Sequence, residues 1–126
     1  MHKVLIADDE SHIRLLLEQA LENLEEMGVE LFVARNGEEA LEMIKQHKPR
    51  LVFLDIMMPK MSGYEVCDIV KNVLRMKDIY IILLTAKGQE TDRQQGVSAG
   101  ADVYVTKPFD PDEIYRKAAE ILKVNA

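Results

Sequence analysis

Short apolar runs alternate along this chain with longer segments in which apolar residues recur at helical spacing. Five runs are rich in β-branched side chains and are typical of β-strands, at 3–7, 29–34, 51–54, 79–84 and 103–105. Strands that alternate with helices favour right-handed crossovers and a parallel sheet covered on both faces. The pattern therefore predicts an α/β protein with a doubly wound five-stranded parallel sheet, strand order 2-1-3-4-5, and five flanking helices.

The first and last of these helices carry the clearest signals. The first has an apolar stripe and ends before Gly28, which suits a left-handed C-cap; the stripe contains Ile13, Leu16, Leu17, Ala20, Leu21 and Leu24. The last begins with Asp110 as its N-cap and Pro111 at its first position, and we expect Glu113 to complete a capping box.

The three middle helices differ from one another in their apolar content. Asn36 and Ser62 are expected to cap the second and third helices. The third helix carries a predicted apolar stripe of Val66, Cys67, Val70 and Val73. The fourth, within 87–102, is polar and contains three glycines, so we expect it to be the least stable helix of the set.

Carboxylate, hydroxyl or amine side chains follow four of the five predicted strands, whereas the second is followed by Arg35 and Asn36. Parallel strands place their carboxyl ends at one edge of the sheet, where ligands of such folds bind. The residues at those ends are Asp8 and Asp9 after the first strand, Asp55 after the third, Thr85 after the fourth, and Thr106, Lys107 and Pro108 after the fifth. We therefore expect these side chains to lie together.

This set of groups predicts a cation site beside a nucleophile. Three carboxylates at one edge repel one another, so they must raise a pKa or bind a cation, and hard oxygen ligands suit Mg²⁺, with Mn²⁺ as a substitute. Lys107 would neutralise an incoming anion, and the Thr85 hydroxyl can turn towards an anionic oxygen or away from it. Asp55 is then a candidate nucleophile for aspartyl-phosphate formation.

Composition narrows the class of protein further. The 126 residues suffice for a single domain, 1–126, and 48% hydrophobic with 30% charged residues is typical of a globular chain. The formal charge of -6 argues against direct binding to nucleic acid or to an anionic membrane. One cysteine, Cys67, cannot form an internal disulfide, and no apolar stretch reaches membrane-spanning length, so we expect a cytoplasmic protein.

Four motifs together resemble the receiver domains of two-component response regulators, over the whole chain. They are LIADDE at 5–10, LVFLDIMMPKMSG at 51–63, ILLTAKG at 82–88 and GADVYVTKPF at 100–109. The resemblance implies the flavodoxin-like fold of the chemotaxis regulators. It also implies a phosphoacceptor in signal transduction, a switch rather than an enzyme, with limited self-catalysed phosphorylation and dephosphorylation.

The resemblance also implies a role for each residue of the site. Asp55 would accept a phosphoryl group from a sensor histidine kinase. Mg²⁺ would be organised by Asp8, Asp9, Asp55 and the backbone carbonyl of Met57. Lys107 would contact the phosphoryl group, positioned by a cis Lys107–Pro108 bond. Thr85 and Tyr104 would form a switch pair. Ala86 would leave room for the phosphate.

A finer similarity links the segment 87–109 to receivers attached to winged-helix transcription factors. Such receivers form homodimers through the fourth helix, fifth strand and fifth helix. The positions that match would give two inter-subunit ion pairs, Arg93 with Glu113 and Asp102 with Lys117. The partner controlled by the switch would be an effector protein, or an output domain if the chain is part of a longer protein; no output domain is expected within 1–126.

A flavodoxin-like electron carrier shares the predicted topology, and a phosphohydrolase is a further alternative. A flavodoxin-like electron carrier or another phosphate-binding α/β module would need a neutral loop rich in donors after the first strand, where Asp8 and Asp9 stand. A phosphohydrolase with an aspartyl nucleophile generally has two acids one residue apart on its first strand and a cap domain over its active site. The sequence indicates neither feature.

Overall fold

Five parallel strands form one sheet in residues 2–86 and 99–123, the part of the chain that the computed structural model describes. The strands are β1 (Lys3–Ala7), β2 (Glu30–Ala34), β3 (Leu51–Asp55), β4 (Tyr80–Ala86) and β5 (Val103–Lys107). Their order is β2-β1-β3-β4-β5, with every neighbouring pair parallel. The predicted fold class and strand order are confirmed.

Helices cover both faces of this sheet. They are α1 (Ser11–Ala20), α2 (Glu22–Glu26), α3 (Gly37–His47), α4 (Gly63–Asp68) with a π-helical turn (Ile69–Val73), and α5 (Pro111–Leu122). Leu5 and Val52 of the sheet belong to the apolar cluster of α3 and α4, whereas Val4 and Phe53 belong to the cluster of α1, α2 and α5. The strands are apolar at successive positions because alternate side chains enter two different cores.

The helix N-termini largely follow the predicted caps. The side chain of Asn36 accepts a hydrogen bond from the Glu39 amide, and that of Ser62 accepts one from the Glu65 amide. Asp110 is the N-cap of α5, as predicted, but the predicted capping box with Glu113 is wrong. The Asp110 carboxylate accepts from the amide of Asp112, only two residues further, so it does not reach that of Glu113.

The predicted first helix is interrupted at Leu21, which separates α1 from α2. Gly28 has φ +98° and ends the helical segment in the conformation that glycine adopts at low cost, as predicted. Leu16, predicted to lie in the apolar stripe, is 41% exposed. The stripe is therefore narrower than the spacing indicated.

The predicted third helix changes its winding after Asp68. The Leu74 amide donates to the Ile69 carbonyl at 2.7 Å, a bond that spans five residues, as in a π-helix. The wider turn rotates the following side chains, so Val73 is 66% exposed. Its predicted place in the apolar stripe is wrong for this reason.

The predicted fourth helix falls mostly on 87–98, outside the described residues. At the far end of this gap Ala99 is buried, and the Cys67 thiol donates to its carbonyl at 3.4 Å. Burial raises the pKa of Cys67 to about 12, so this thiol stays protonated and acts as part of the core. Within the ranges that the structure describes, no helix combines the length and apolar character needed to cross a bilayer.

Candidate functional site

Four strands end at one edge of the sheet and bring the predicted side chains together. Asp55 is the last residue of β3, and Lys107 is the last residue of β5. Asp8 directly follows β1, and Thr85 is the next-to-last residue of β4. Asp8, Asp55 and Thr85 are all buried, with at most 4% of each residue exposed. Three polar side chains are thus buried at the edge of the hydrophobic core, where apolar side chains are usual.

Lys107 joins the two buried carboxylates. Its Nζ atom lies 3.0 Å from Asp8 Oδ2 and 3.2 Å from Asp55 Oδ1, and Glu10 Oε1 is 3.8 Å away. The Lys107 side chain is only 16% exposed. One ammonium group therefore lies between two carboxylates that come from different strands.

Hydrogen bonds fix the position of Asp8. Its amide donates to the Ala34 carbonyl at 3.2 Å, its Oδ1 accepts from the Glu10 amide at 2.9 Å, and its carbonyl accepts from Arg14 at 2.8 Å. Asp8 Oδ2 is fully buried and, among the described residues, has no partner in hydrogen-bond geometry. Its contact with the Lys107 ammonium group, at 3.0 Å, is an ion pair. A carboxylate oxygen has room for more than one donor or cation, so Asp8 Oδ2 is a candidate ligand for a metal ion.

The acidic residues after β1 form a group suited to a hard metal ion. Carboxylate oxygens of Asp8, Asp9 and Glu10 lie within 4.8 Å of one another. Oxygen ligands of this kind, with an unsatisfied buried oxygen among them, fit Mg²⁺. Glu10 was not among the predicted ligands, although it stands in the motif LIADDE. The motif was the available signal, but an acidic residue just before a helix is favoured by the helix dipole and so gives no clear sign of a metal ligand.

Burial and charge shift the pKa values at the site. Burial, aided by the negative charge of Asp8, raises the pKa of Asp55 to about 7, although Lys107 acts in the opposite direction. Burial lowers the pKa of Lys107. The close contact with Asp8 and the negative charges of Asp55 and Asp8 have the opposite, larger effect, so the pKa of Lys107 lies above its ordinary value. Lys107 is thus a permanent cation, whereas the charge on Asp55 depends on its surroundings.

The predicted switch residues lie on β4 and β5. Thr85 pairs with Thr106 in the strand register, and their hydroxyl oxygens are 3.5 Å apart. Tyr104 is half-buried and packs against the apolar cluster beneath α3 and α4. Ala86 is exposed at the end of β4. Thr106, which the sequence places only among the residues that follow the fifth strand, is a second hydroxyl, and the strand register sets it beside Thr85.

Two further features of the predicted site lie in loops. The Lys107–Pro108 peptide bond is cis, as the resemblance implied. Met57, two residues after Asp55, is 64% exposed. An exposed apolar side chain at this position is consistent with a role carried by the backbone, which is the role expected of its carbonyl.

Three of the four residues in the predicted dimer pairs belong to the described part of the chain. Arg93 lies outside it, and Glu113 and Lys117 lie on α5. Asp102 already has partners within its own chain: its Oδ2 is 2.9 Å from Lys71 Nζ and accepts from the Ile81 amide at 2.8 Å. A pair between Asp102 and Lys117 of another subunit would compete with these contacts.

Comparison with known proteins places this geometry in a family. The family model described as "Response regulator receiver domain" matches residues 4–119. The "Alkaline phosphatase synthesis transcriptional regulatory protein PhoP" of Bacillus subtilis is 43% identical over 122 residues, which is 96% of this chain and 48% of that protein. The "Probable transcriptional regulator ycf27" of Galdieria sulphuraria is 46% identical over 121 residues, 96% of this chain and 45% of that protein.

Solved structures give the same result. The receiver domain of the Francisella response regulator 1452 superposes with a TM-score of 0.83 at 30% identity, and the match covers 98% of each chain. The chain spans about half the length of the curated relatives that it matches. The buried acidic edge, the lysine opposite it and these matches lead to one conclusion: the chain belongs to the family of response regulator receiver domains, the signalling domains of two-component systems.

Proposed function

We propose that this domain is a phosphoacceptor switch in which Asp55 takes a phosphoryl group from a sensor histidine kinase. The observation that carries the proposal is the Lys107 ammonium held between the carboxylates of Asp8 and Asp55, at 3.0 and 3.2 Å. A buried pair of carboxylates with one cation leaves an excess of negative charge at the edge of the sheet. Such a site favours a divalent cation and a substrate whose anionic oxygens can contact Lys107.

The transfer step would use a carboxylate oxygen of Asp55 as the nucleophile. This oxygen attacks the phosphorus of a phosphohistidine, the new O–P bond forms as the P–N bond breaks, and the histidine nitrogen keeps the electron pair and is protonated as usual in solution. Lys107 can donate to the phosphoryl oxygens as their charge is redistributed. Burial raises the pKa of Asp55 to about 7, and additional positive charge beside the carboxylate would lower this pKa and favour the ionised nucleophile.

Mg²⁺ is the cofactor that the acidic residues fit, and Mn²⁺ can replace it. We assign Asp8, Asp9, Asp55 and the Met57 carbonyl as its protein ligands. Glu10 is an additional candidate because its carboxylate lies in the same group of acids. When bound, the ion supplies positive charge that offsets repulsion between the carboxylate and the phosphoryl group.

The response to phosphorylation would be a shift between two conformations. The Thr85 hydroxyl would turn from Thr106, 3.5 Å away, towards the phosphoryl group. Tyr104 would then repack. The surface formed by the helix predicted within 87–102, together with β5 and α5, would change as a result. This surface would control a homodimer, an effector protein or an attached output domain. PhoP and ycf27 are named as transcriptional regulators, so the output we propose is control of transcription.

The alternative of a flavodoxin-like electron carrier receives no support from the site. The segment after β1, where such a protein would bind phosphate, holds the buried Asp8 and the exposed Asp9. Two carboxylates there would repel a phosphate group.

The test is incubation of the purified protein with acetyl phosphate and Mg²⁺, followed by intact mass measurement. We expect one acid-labile phosphoryl group on the parent protein and none on Asp55→Asn. A protein with Asp78→Asn, an exposed aspartate just before β4, is the matched control and should be phosphorylated like the parent. Transfer to the Asp55→Asn protein would contradict the assignment of the acceptor.

A further inference from the structure

The loop that follows the acceptor strand is in unusually close contact with two glycines. This loop, 56–62, connects Asp55 to α4. At its far end lies Gly63, where a methyl group would overlap the Asp55 carbonyl oxygen and would lie 2.9 Å from Ile56 Cα. The Gly63 amide also donates to the Ile56 carbonyl at 2.9 Å. The absence of a side chain at Gly63 thus lets the two ends of the loop touch.

The second glycine, Gly37, comes from another part of the chain. It is the first residue of α3 and is buried. A methyl group there would overlap the Met61 carbonyl oxygen and would lie 2.8 Å from Met61 Cβ. The first turn of α3 therefore rests directly on the backbone of the loop.

Backbone conformation does not explain why Gly37 is a glycine. The described glycines with positive φ are Gly28 and Gly100, whereas Gly37 stands at a helix start that other residues adopt easily. Alanine favours a helix more than glycine does, so helix propensity alone would favour a replacement of Gly37. The close approach of Met61 is the physical reason that remains.

The segment 34–37, which runs from the last residue of β2 to the first residue of α3, contacts both Asp8 and the loop that contains Met57. At its start, the Ala34 carbonyl accepts the Asp8 amide at 3.2 Å. At its end, Gly37 contacts Met61, in the loop that contains the Met57 carbonyl. The Asn36 side chain, which accepts from the Glu39 amide at 2.8 Å, holds the helix start between these two contacts. The same short segment thus sets the position of Asp8 relative to the loop.

We propose that Gly37 is a positioning residue for the phosphoacceptor site. By admitting the Met61 carbonyl, it fixes the path of 56–62 and so the distance between the Met57 carbonyl and Asp8. This proposal rests on the function proposed above, because it concerns the geometry of the same Mg²⁺ and phosphoryl site. Mg²⁺ demands near-ideal octahedral geometry, so a displaced loop should weaken its binding.

The test compares Gly37→Ala with the parent and with Gly28→Ala. Both changes add one methyl group, but nothing lies within 4 Å of the position that a methyl group takes at Gly28. Gly28→Ala should lower the melting temperature, because φ +98° is strained for alanine, and should leave Mg²⁺ binding unchanged. Gly37→Ala should weaken Mg²⁺ binding by about tenfold or more in calorimetric titration, the effect typical of lost support for a metal ligand.

A second readout requires no metal. In protein labelled with ¹³C at the methionine methyl groups, Gly37→Ala should shift the Met61 resonance in the metal-free state, and Gly28→Ala should not. Unchanged Mg²⁺ affinity and an unchanged Met61 resonance in Gly37→Ala would overturn the proposal. If the parent itself bound no Mg²⁺ and accepted no phosphoryl group, the proposed function would fail instead.

A third variant keeps the proposal testable if Gly37→Ala does not fold. Asn36→Ala removes the side-chain cap of α3 but adds no atom near Met61. The loosened helix start should weaken Mg²⁺ binding by a smaller factor, on the order of threefold. An affinity equal to that of the parent would count against the role of this segment.

Discussion

At the scale of one residue, the carboxylate of Asp55 that the proposed function requires is unfavourable for the stability of the folded protein. A carboxylate is 4% exposed at the end of a fully buried strand, and burial together with Asp8 raises its pKa to about 7. The folded protein therefore binds a proton at Asp55 more tightly than the unfolded chain does. The stabilisation that comes from protonation of Asp55 in the folded state is fully present below pH 3.8, the unfolded pKa. It is lost as the pH rises to about 7, the folded pKa.

We predict that Asp55→Asn makes the metal-free protein more stable at pH 8 than the parent. The neutral amide avoids a buried negative charge, and a pKa raised from 3.8 to about 7 corresponds to at most about 4 kcal/mol in the free energy of unfolding. The gain should shrink as the pH falls and disappear near pH 4. Urea unfolding in a chelating buffer at several pH values measures it.

The control for this prediction is Asp78→Asn, because it makes the same chemical change at an exposed position outside the acidic site. Its stability relative to the parent should show little dependence on pH. An Asp55→Asn protein less stable than the parent at pH 8 would show that the ionised carboxylate contributes more through Lys107 than it costs through burial.

At the scale of elements, the ion pair between Lys71 and Asp102 connects the π-helical turn to the start of β5. Lys71 Nζ is 2.9 Å from Asp102 Oδ2, and the two side chains are 6% and 31% exposed. The same Asp102 oxygen accepts the Ile81 amide at the start of β4. The pair thus holds the far end of the 87–102 segment, whose rearrangement we propose as the response to phosphorylation.

We predict that Asp102→Asn destabilises the protein by about 2 kcal/mol, because a buried ammonium loses its only carboxylate partner among the described residues. In a Lys71→Met background the same change should cost much less. The two single variants and the double variant form a double-mutant cycle with the parent, measured by denaturant unfolding.

Two details make this cycle specific. The amide oxygen that the substitution introduces at position 102 can still accept the Ile81 amide, so the change removes charge and keeps the hydrogen bond. Equal costs of Asp102→Asn in the two backgrounds would mean that the pair contributes nothing and that Asp102 is available to a second subunit.

At the scale of the whole molecule, the site exists only in the folded sheet. Asp8 and Asp55 are 47 positions apart in the chain, and Lys107 follows Asp55 by another 52. An ion that binds this assembly binds the folded state and not the unfolded chain. Mg²⁺ binding should therefore appear as added stability.

We predict that Mg²⁺ at about 100 times its dissociation constant stabilises the parent by about 2.7 kcal/mol and raises its melting temperature by about 10 °C. Asp8→Asn should lose most of this increase, because Asp8 Oδ2 is the buried oxygen without a hydrogen bond. Differential scanning calorimetry with and without Mg²⁺ measures the effect. Asp78→Asn should keep the full increase, and the same shift in Asp8→Asn would argue against Asp8 as a ligand.

Much of the fold could be predicted from the sequence because the signals are local. Asn36 and Ser62 cap their helices, Gly28 ends one, and the apolar runs form the strands. The predictions failed where a distant contact or a change of winding decided the outcome. Val73 is exposed because a π-helical turn rotates it, and no periodicity reveals such a turn in advance.

By itself, the sequence determined which groups stand at the carboxyl ends of the strands, since parallel strands place those ends at one edge. Only the tertiary structure decided how these groups are paired. It placed Lys107 between Asp8 and Asp55, added Glu10 to the acidic group, and engaged Asp102 with Lys71. The reason is physical: hydrophobic patterning is written in neighbouring residues, whereas charge pairing depends on distances between side chains that are remote in sequence and fixed only by packing.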